Sequence, residues 1–234
     1  MNKLHDKIIT DNLSVLRRIG SVYKMRIVKE AEERKNEILD IAGRLFGEKG
    51  YDATSTNDIL KEIGIARGTL YYHFKSKEEI LDALIDRLTE QILEKAKSIV
   101  QQKDIPVLHR FTMMMLALNI SDGSFSHEIL EQVHKPQNAL MHQKIQEKLL
   151  SEVTPLIASL ITDGITQGIC QTDYPEEVAE MTFLYSYTAF DDLMEYNEEE
   201  KKKKIAAFIY NLERLLNMEQ GSMEKIIRPL FGQN

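Results

Sequence analysis

The sequence contains very little cysteine, proline and glycine. Among its 234 residues there are 1 Cys, 5 Pro and 11 Gly. The single thiol, Cys170, excludes an internal disulfide and a cysteine-rich zinc site, and such cysteine usage is typical of a reducing cytoplasm. Because proline and glycine weaken helix interiors, their scarcity leaves long helices uninterrupted. We therefore expect a cytoplasmic protein that is rich in long helices.

Several patterns that carry function in other proteins are also missing. No apolar run approaches the roughly 20 residues that span a bilayer, so no membrane segment is expected. The histidines lack a metal-ligand spacing, and no cofactor motif is present, so neither a metal nor a cofactor is expected. No nucleophile is paired with a base, and there is no glycine-rich phosphate loop. These absences argue against an enzyme and favour a protein that acts by binding.

Charge is distributed unequally along the chain, whose net charge is −7. Residues 1–77 contain 15 Lys and Arg against 11 Asp and Glu, a balance of +4. Residues 78–234 contain 15 against 26, a balance of −11. An acidic surface repels nucleic acid, whereas a basic one attracts it. Any contact with nucleic acid is therefore expected in the first third of the chain.

Residues 54–77, TSTNDILKEIGIARGTLYYHFKSK, have the pattern of two helices joined by a tight turn. Thr54 or Ser55 can cap the first helix, and Gly64 permits the turn. The second helix, from about Ala66 to His73, carries polar and aromatic side chains where a core helix would carry Leu and Val. A surface helix of this kind suits the major groove of DNA. The alternative is that its aromatic residues belong to a core.

Helical periodicity covers most of the remaining sequence, and no segment sustains the alternation of a β-strand. We predict an all-α fold. The predicted helices are Glu33–Lys49, Lys77 to about Gln101, residues 111–120, Glu128–Val133, Asn138–Gly168, Pro175–Tyr196, and a last helix that follows the EEEKKKK block and ends at Met218.

The run GYDATSTNDILKEIGIARGTLYYHFKSKEEIL resembles the helix-turn-helix signature of TetR-family transcriptional regulators. From about Arg34 to Leu84 the family's characteristic residues are present at many positions. Beyond about residue 85 the chain matches the family only in its helical character and its length. It implies an N-terminal extension (1–30), a three-helix helix-turn-helix DNA-binding domain (31–80) and a larger helical ligand-binding and dimerisation domain (81–234). It also implies a homodimer on a palindromic operator of double-stranded DNA, with a small-molecule effector.

The first 24 residues have no counterpart in the family pattern, and three roles stay open for them. The alternatives are a basic arm that contacts phosphates, a helix that packs on the rest of the protein, and an extension upstream of a translation start near Met25.

Nine residues are expected to contact DNA. Arg67 is placed to read a guanine, the commonest specific contact, and Thr69 to meet a thymine methyl group or a phosphate. Gly68 allows close approach of the helix. Asn57 departs from the family pattern, in which arginine is frequent at that position. The other expected contacts, mostly to phosphates, are made by Thr56, Tyr71, Tyr72, His73 and Lys77.

In the larger domain, soft apolar side chains are candidates for lining an effector pocket, although core packing would explain most of them equally well. They are Phe111, Met114, Met115, Phe125, Phe183 and Tyr187. Dimerisation is expected along Leu149–Gly168 and Pro175–Tyr196, with an apolar face formed by Val153, Leu156, Ile157, Leu160 and Ile161. Gly164 and Gly168 allow close helix contact, with the alternative that Gly168 only ends the helix.

The sequence thus predicts a DNA-binding transcriptional regulator, a repressor that a small hydrophobic ligand releases from its operator. The alternative is a DNA-binding regulator or architectural factor that has no small-molecule inducer and is controlled by a protein partner.

Overall fold

A computed structural model of the chain describes residues 30–118, 135–190 and 196–227. Within those ranges the regular structure is entirely helical, which confirms the predicted all-α class. Contacts between α-carbons divide the chain into two compact units, Met1–Leu81 and Asp82–Asn234. The predictions for the first 24 residues, for Phe125 and for a helix at Glu128–Val133 fall outside the described residues.

The first unit is built from three helices, two of them short, and the start of a long fourth helix. Helix α1 covers residues 30–49, α2 is Thr56–Ile63, α3 is Arg67–His73, and α4, Lys77–Gln101, contains the division between the units. Apolar residues that recur every three or four positions on α1 meet those of α2 and α3. The resulting core consists of Ile38, Ala42, Phe46, Ile59, Leu70, Phe74 and Ile80, all at most 2% exposed.

Ser55 caps α2, which resolves the choice between Thr54 and Ser55. The Ser55 hydroxyl accepts a hydrogen bond from the backbone N–H of Asp58 at 3.2 Å, and the Asp58 carboxylate accepts from the Ser55 N–H at 2.9 Å. Thr54 is buried, and its hydroxyl donates to the carbonyl of Gly50 at 2.8 Å. Gly64 ends α2 with a φ of 73°, a left-handed conformation that favours glycine.

The second unit contains α5 to α9 and the greater part of α4. They are α5 Val107–Leu118, α6 Ala139–Thr166 after a single 3-10 turn at Pro136–Asn138, α7 Pro175–Ala189, α8 Glu198–Leu215 and α9 Glu224–Ile227. Helix α6 packs against α7 and α5. Helix α7 ends at Ala189 and not at Tyr196, and Phe190 turns back to pack its ring on Phe208 at 5.6 Å.

One stretch of the second unit, Pro136–Thr166, is long and apolar enough to cross a membrane by length and composition alone. Charged residues are scattered along this helix, so it contains no uninterrupted apolar run of membrane-spanning length. Helices of protein cores have the same composition. Val153 and Leu160 of this helix are fully buried within the unit, as expected for a core helix.

The two glycines near the end of α6 have different roles. Gly168 has a φ of 69°, so it belongs to the turn that follows the helix. Gly164 lies inside α6, where a Cβ would approach the Sγ of Cys170 to 2.7 Å. Gly164 therefore makes room for the buried Cys170 of the same chain, whose burial raises the pKa of its thiol.

Gly164→Ala is expected to lower the free energy of unfolding by about 1–3 kcal/mol, because an added methyl group overpacks this contact. In a Cys170→Ala background the same change should instead raise it by up to about 1 kcal/mol, since alanine is the better helix former. Urea denaturation of the four proteins in this cycle measures both values. An equal loss in the two backgrounds would show that Cys170 is not the obstacle.

Candidate nucleic-acid interface

Helix α3 presents a polar surface to solvent and anchors itself through two residues. Leu70 and Phe74 are buried at 1% and 2% exposure, whereas Tyr72 is 74% and Tyr71 37% exposed. Of the three aromatic residues Tyr71, Tyr72 and Phe74, only Phe74 therefore belongs to the core. Arg67 and Gly68, at the start of α3, are exposed, and a Cβ on Gly68 would meet nothing within 4 Å. The helix can therefore approach a groove with its first turn.

Two predicted contact residues meet each other across the turn. Arg67 Nη2 donates a hydrogen bond to Asn57 Oδ1 at 3.0 Å, joining the start of α3 to the first turn of α2. Both side chains are exposed. The structure thus brings together a residue predicted to read a base and the residue at which the sequence departs from the family pattern. Thr56 and Thr69 lie half-buried in the first turns of the same two helices.

Lys77 has partners within the first unit that the sequence did not predict. Its Nζ donates to the carbonyls of Tyr51 at 2.8 Å and Thr54 at 2.9 Å, and lies 4.1 Å from the centre of the Tyr51 ring. The ammonium group therefore fastens the turn between α1 and α2. A phosphate contact by Lys77 stays a prediction, while this geometry supports a role in holding α2 in place.

The surroundings of His73 favour its neutral form. Partial burial, together with the positive charges of Arg34 and Lys35 on α1, lowers the pKa of its imidazole below the ordinary value of 6.5. Its ring makes an edge contact with Tyr72, the centroids 5.0 Å apart. A contact from His73 to a phosphate would then rely on an N–H donor and not on a full charge.

A further cation at this surface was missed by the sequence prediction. Lys75 is exposed just beyond α3, and its Nζ donates to the carbonyl of Tyr71 at 2.9 Å. The signal was available in the sequence, because Lys75 lies between His73 and Lys77, both predicted to contact phosphates. Arg44 is also basic, but it pairs with Glu62 and Glu48. Its charge is therefore offset within the unit.

The predicted effector residues of the second unit are only partly assembled. Phe183 stacks on Tyr187 with centroids 5.6 Å apart, and His142, which sequence reasoning did not select, lies 5.7 Å from Tyr187. Phe111 and Met114 are buried on α5, and Met115 is half-buried. The aromatic cluster of α6 and α7 is therefore the best-defined part of this candidate site.

The predicted dimerisation face needs correction. Within a single chain, four of its five residues are at most 4% exposed, namely Val153, Ile157, Leu160 and Ile161. They belong to the core of the subunit, because α7 and α5 cover that side of α6. Leu156 is half-buried, and Met181 and Tyr185 of α7 are exposed in the single chain.

The most deeply buried charge of the described residues was not anticipated. Arg110 on α5 is 0% exposed and donates to Asp163 of α6 at 2.7 Å. It also donates to the carbonyls of Val100 at 3.1 Å and Ile105 at 3.0 Å. The cluster therefore connects the last turn of α4 and the loop after it to α6.

Two family models match the chain. The model described as bacterial regulatory proteins, tetR family, matches residues 38–84, and that described as tetracyclin repressor-like, C-terminal domain, matches residues 122–210. The matches cover α2, α3, α6 and α7 completely and parts of α1, α4 and α8.

Curated relatives agree with these matches. The chain is 27% identical over 142 residues to the fatty acid metabolism regulator protein of Bacillus subtilis, covering 60% of this chain and 73% of the relative. It is 30% identical over 127 residues to the HTH-type transcriptional repressor KstR2 of Mycobacterium tuberculosis, covering 54% and 58%. The chain thus spans less than two thirds of the second relative.

Solved structures share the fold. A gamma-butyrolactone receptor (ArpA-like protein) has a TM-score of 0.54 and 17% identity, with 85% of this chain and 95% of that chain covered. A TetR-family transcriptional regulator from Mesorhizobium loti has a TM-score of 0.56 and 18% identity, with 79% and 97% covered. At these identities the likeness concerns the fold alone.

Proposed function

The chain belongs to the TetR family of DNA-binding transcriptional regulators and is not an enzyme, and from this premise we propose that it is a cytoplasmic repressor released from its operator by a small, largely hydrophobic ligand. It binds the palindromic operator as a homodimer. The observation that carries the DNA-reading part is the exposed first turn of α3, where Arg67 projects beside a glycine while Leu70 anchors the helix. Two such helices, about 34–36 Å apart in a dimer, read successive major grooves.

The aromatic cluster in the second unit supports the ligand-responsive part of the proposal. Phe183, Tyr187 and His142 form a contiguous set of rings between α6 and α7. Rings of this kind bind apolar molecules and supply a few polar groups for orientation. The relative from Bacillus subtilis is named for regulation of fatty acid metabolism, which is consistent with an apolar effector.

Helix α4 is the proposed route between ligand and DNA. It runs without interruption from Lys77, next to the reading helix in sequence, to Gln101, whose neighbour Val100 is held by Arg110. A ligand that displaces α4 would change the spacing of the two reading helices. To release DNA, it must bind the released state more tightly than the DNA-bound state by at least about 1–3 kcal/mol.

Selection from a randomised pool of duplex DNA tests the proposal. We expect enrichment of inverted repeats whose half-site centres are about 10–10.5 base pairs apart, or a multiple of that spacing. Apolar carboxylic acids, lactones and sterols can then be screened for release of the selected DNA. If no sequence is enriched, specific DNA reading is wrong.

If a sequence is enriched but no small molecule releases it, control by a protein partner becomes the better proposal. The burial of Phe111 and Met114 favours this second possibility, because side chains that fill a core leave no space for a ligand.

A further inference from the structure

We infer that Asn57 is a positioning residue for DNA reading, which acts by holding the guanidinium of Arg67 in its reading orientation. The inference rests on the proposed function of α3 and goes beyond it, because it assigns to Asn57 a role exerted through another residue. The sequence pattern had suggested an independent second-helix contact for Asn57. The observation that carries the inference is the 3.0 Å hydrogen bond from Arg67 Nη2 to Asn57 Oδ1.

The position of the two residues makes this bond useful. Asn57 is the second residue of α2, and Arg67 is the first residue of α3. The turn between them is fixed by Gly64, and both helices are anchored by buried residues, Ile59 and Leu70. The Oδ1 acceptor therefore stands at a defined place relative to the reading helix, although both polar side chains are exposed.

An arginine gains from such an anchor because its side chain is long and flexible. Binding to a base fixes its rotatable bonds, which costs conformational entropy, and a partner that fixes them beforehand reduces that cost. The guanidinium has five N–H donors in a planar fork, so one bond to Asn57 leaves donors for a guanine. The hydrogen bond to Asn57 thus restricts the orientation of the guanidinium without using all of its N–H donors.

The chemical nature of the partner also matters. An amide is neutral, so the positive charge of Arg67 stays available to the electronegative groove. A carboxylate at the same place would offer an acceptor but would offset that charge. The Asn57 amide nitrogen also has two donors, which leaves a competing role in which Asn57 contacts DNA itself.

The experiment compares base preferences of four proteins on the same randomised duplex pool: wild type, Arg67→Ala, Asn57→Ala and the double variant. We expect Arg67→Ala to flatten preference at one position of each half-site. Asn57→Ala should weaken preference at that same position by roughly two- to tenfold, the size expected for one hydrogen bond. The double variant should match Arg67→Ala within about twofold, because Asn57 has nothing left to position.

Asn57→Asp separates the acceptor from the amide donors. It keeps an oxygen for Arg67 but removes both N–H groups, so we expect the base preference to be retained. The added negative charge should lower the affinity for all DNA sequences, and the affinity should rise less steeply as the salt concentration is lowered. Flattening by Asn57→Asp as severe as by Asn57→Ala would show that the donors matter, and would overturn the inference. Both positions are exposed, so circular dichroism should show unchanged helix content and melting temperature in every variant.

The outcomes distinguish the inference from its premise. If Arg67→Ala leaves every base preference intact, the proposed reading role of Arg67 fails. If Arg67→Ala flattens one position but Asn57→Ala changes another position, or none, the reading role stands and the positioning role of Asn57 is wrong. If the losses of base preference in the two single variants add up in the double variant, the positioning role of Asn57 is also wrong.

Discussion

Asp163→Ala is expected to lower the free energy of unfolding by about 3–5 kcal/mol, the loss typical of a broken buried ion pair. The change removes the carboxylate that faces Arg110, whose guanidinium is 0% exposed. The buried guanidinium would lose the carboxylate that faces it, and leaving a buried charge unpaired is costly. Urea denaturation monitored by circular dichroism measures the loss, with an unchanged m-value as the sign that the unfolded state is unaffected.

Lys103→Ala is the matched control, because Lys103 pairs with the same carboxylate from a position whose side chain is 56% exposed. Exposed pairs contribute about 0–1 kcal/mol, so this variant should stay close to wild type. A combined Arg110→Met and Asp163→Ala variant should recover much of the lost stability, since it buries an apolar chain in place of an unpaired charge. Equal losses of stability from Asp163→Ala and Lys103→Ala would show that the pair with the buried Arg110 is not the source of the effect.

The same cluster makes stability sensitive to acid. Burial alone would raise the pKa of Asp163, but hydrogen bonds from Lys103 and Arg110 outweigh it and lower the pKa below its ordinary value of 3.8. The ionised carboxylate is therefore favoured in the folded state. Its contribution to stability is present above pH 3.8 and is lost as the pH falls through the lowered pKa. In the Asp163→Ala variant that part of the acid dependence should disappear.

Features that depend on neighbouring residues could be predicted from the sequence. Gly64 ends α2 as predicted, and Pro175 begins α7, because a cap or a helix start is decided within one turn of the chain. Helix α4 was predicted from Lys77 to about Gln101 and has those bounds. The choice between Thr54 and Ser55 as cap was left open, because either hydroxyl could serve until the burial of Thr54 was known.

Features that depend on distant residues could not be predicted. Arg110 resembles a surface residue in sequence, and its burial follows only when Asp163, 53 positions later, is brought beside it. The pairing of Lys77 with Tyr51, 26 positions earlier, likewise could not be predicted from the sequence, which predicts a phosphate contact for this side chain. Gly164 seemed suited to a contact between helices until Cys170 occupied the space. In each case the deciding partner is set by tertiary packing.

Arg67→Ala is expected to remove base discrimination at one position of each half-site. A bidentate contact between arginine and guanine contributes about 1–3 kcal/mol, and a two-fold operator contains it twice, so the specific affinity should fall by roughly 2–6 kcal/mol. Non-specific affinity should fall much less, because many phosphate contacts support it. Titration of labelled operator and of random duplex at one salt concentration measures both quantities.

Lys77→Ala provides the contrasting variant. Its Nζ holds the carbonyls of Tyr51 and Thr54, so its loss loosens the turn before α2. The Ser55 cap and the buried Ile59 still hold α2, and with it Asn57, in place beside Arg67. We therefore expect lower affinity for operator and random DNA alike, with the base preference unchanged. For Arg67→Ala the ratio of operator affinity to random-DNA affinity should fall strongly. For Lys77→Ala that ratio should stay the same as in the wild type. Equal losses on both DNAs for both variants would refute the division between a residue that reads bases and a residue that holds the reading unit together.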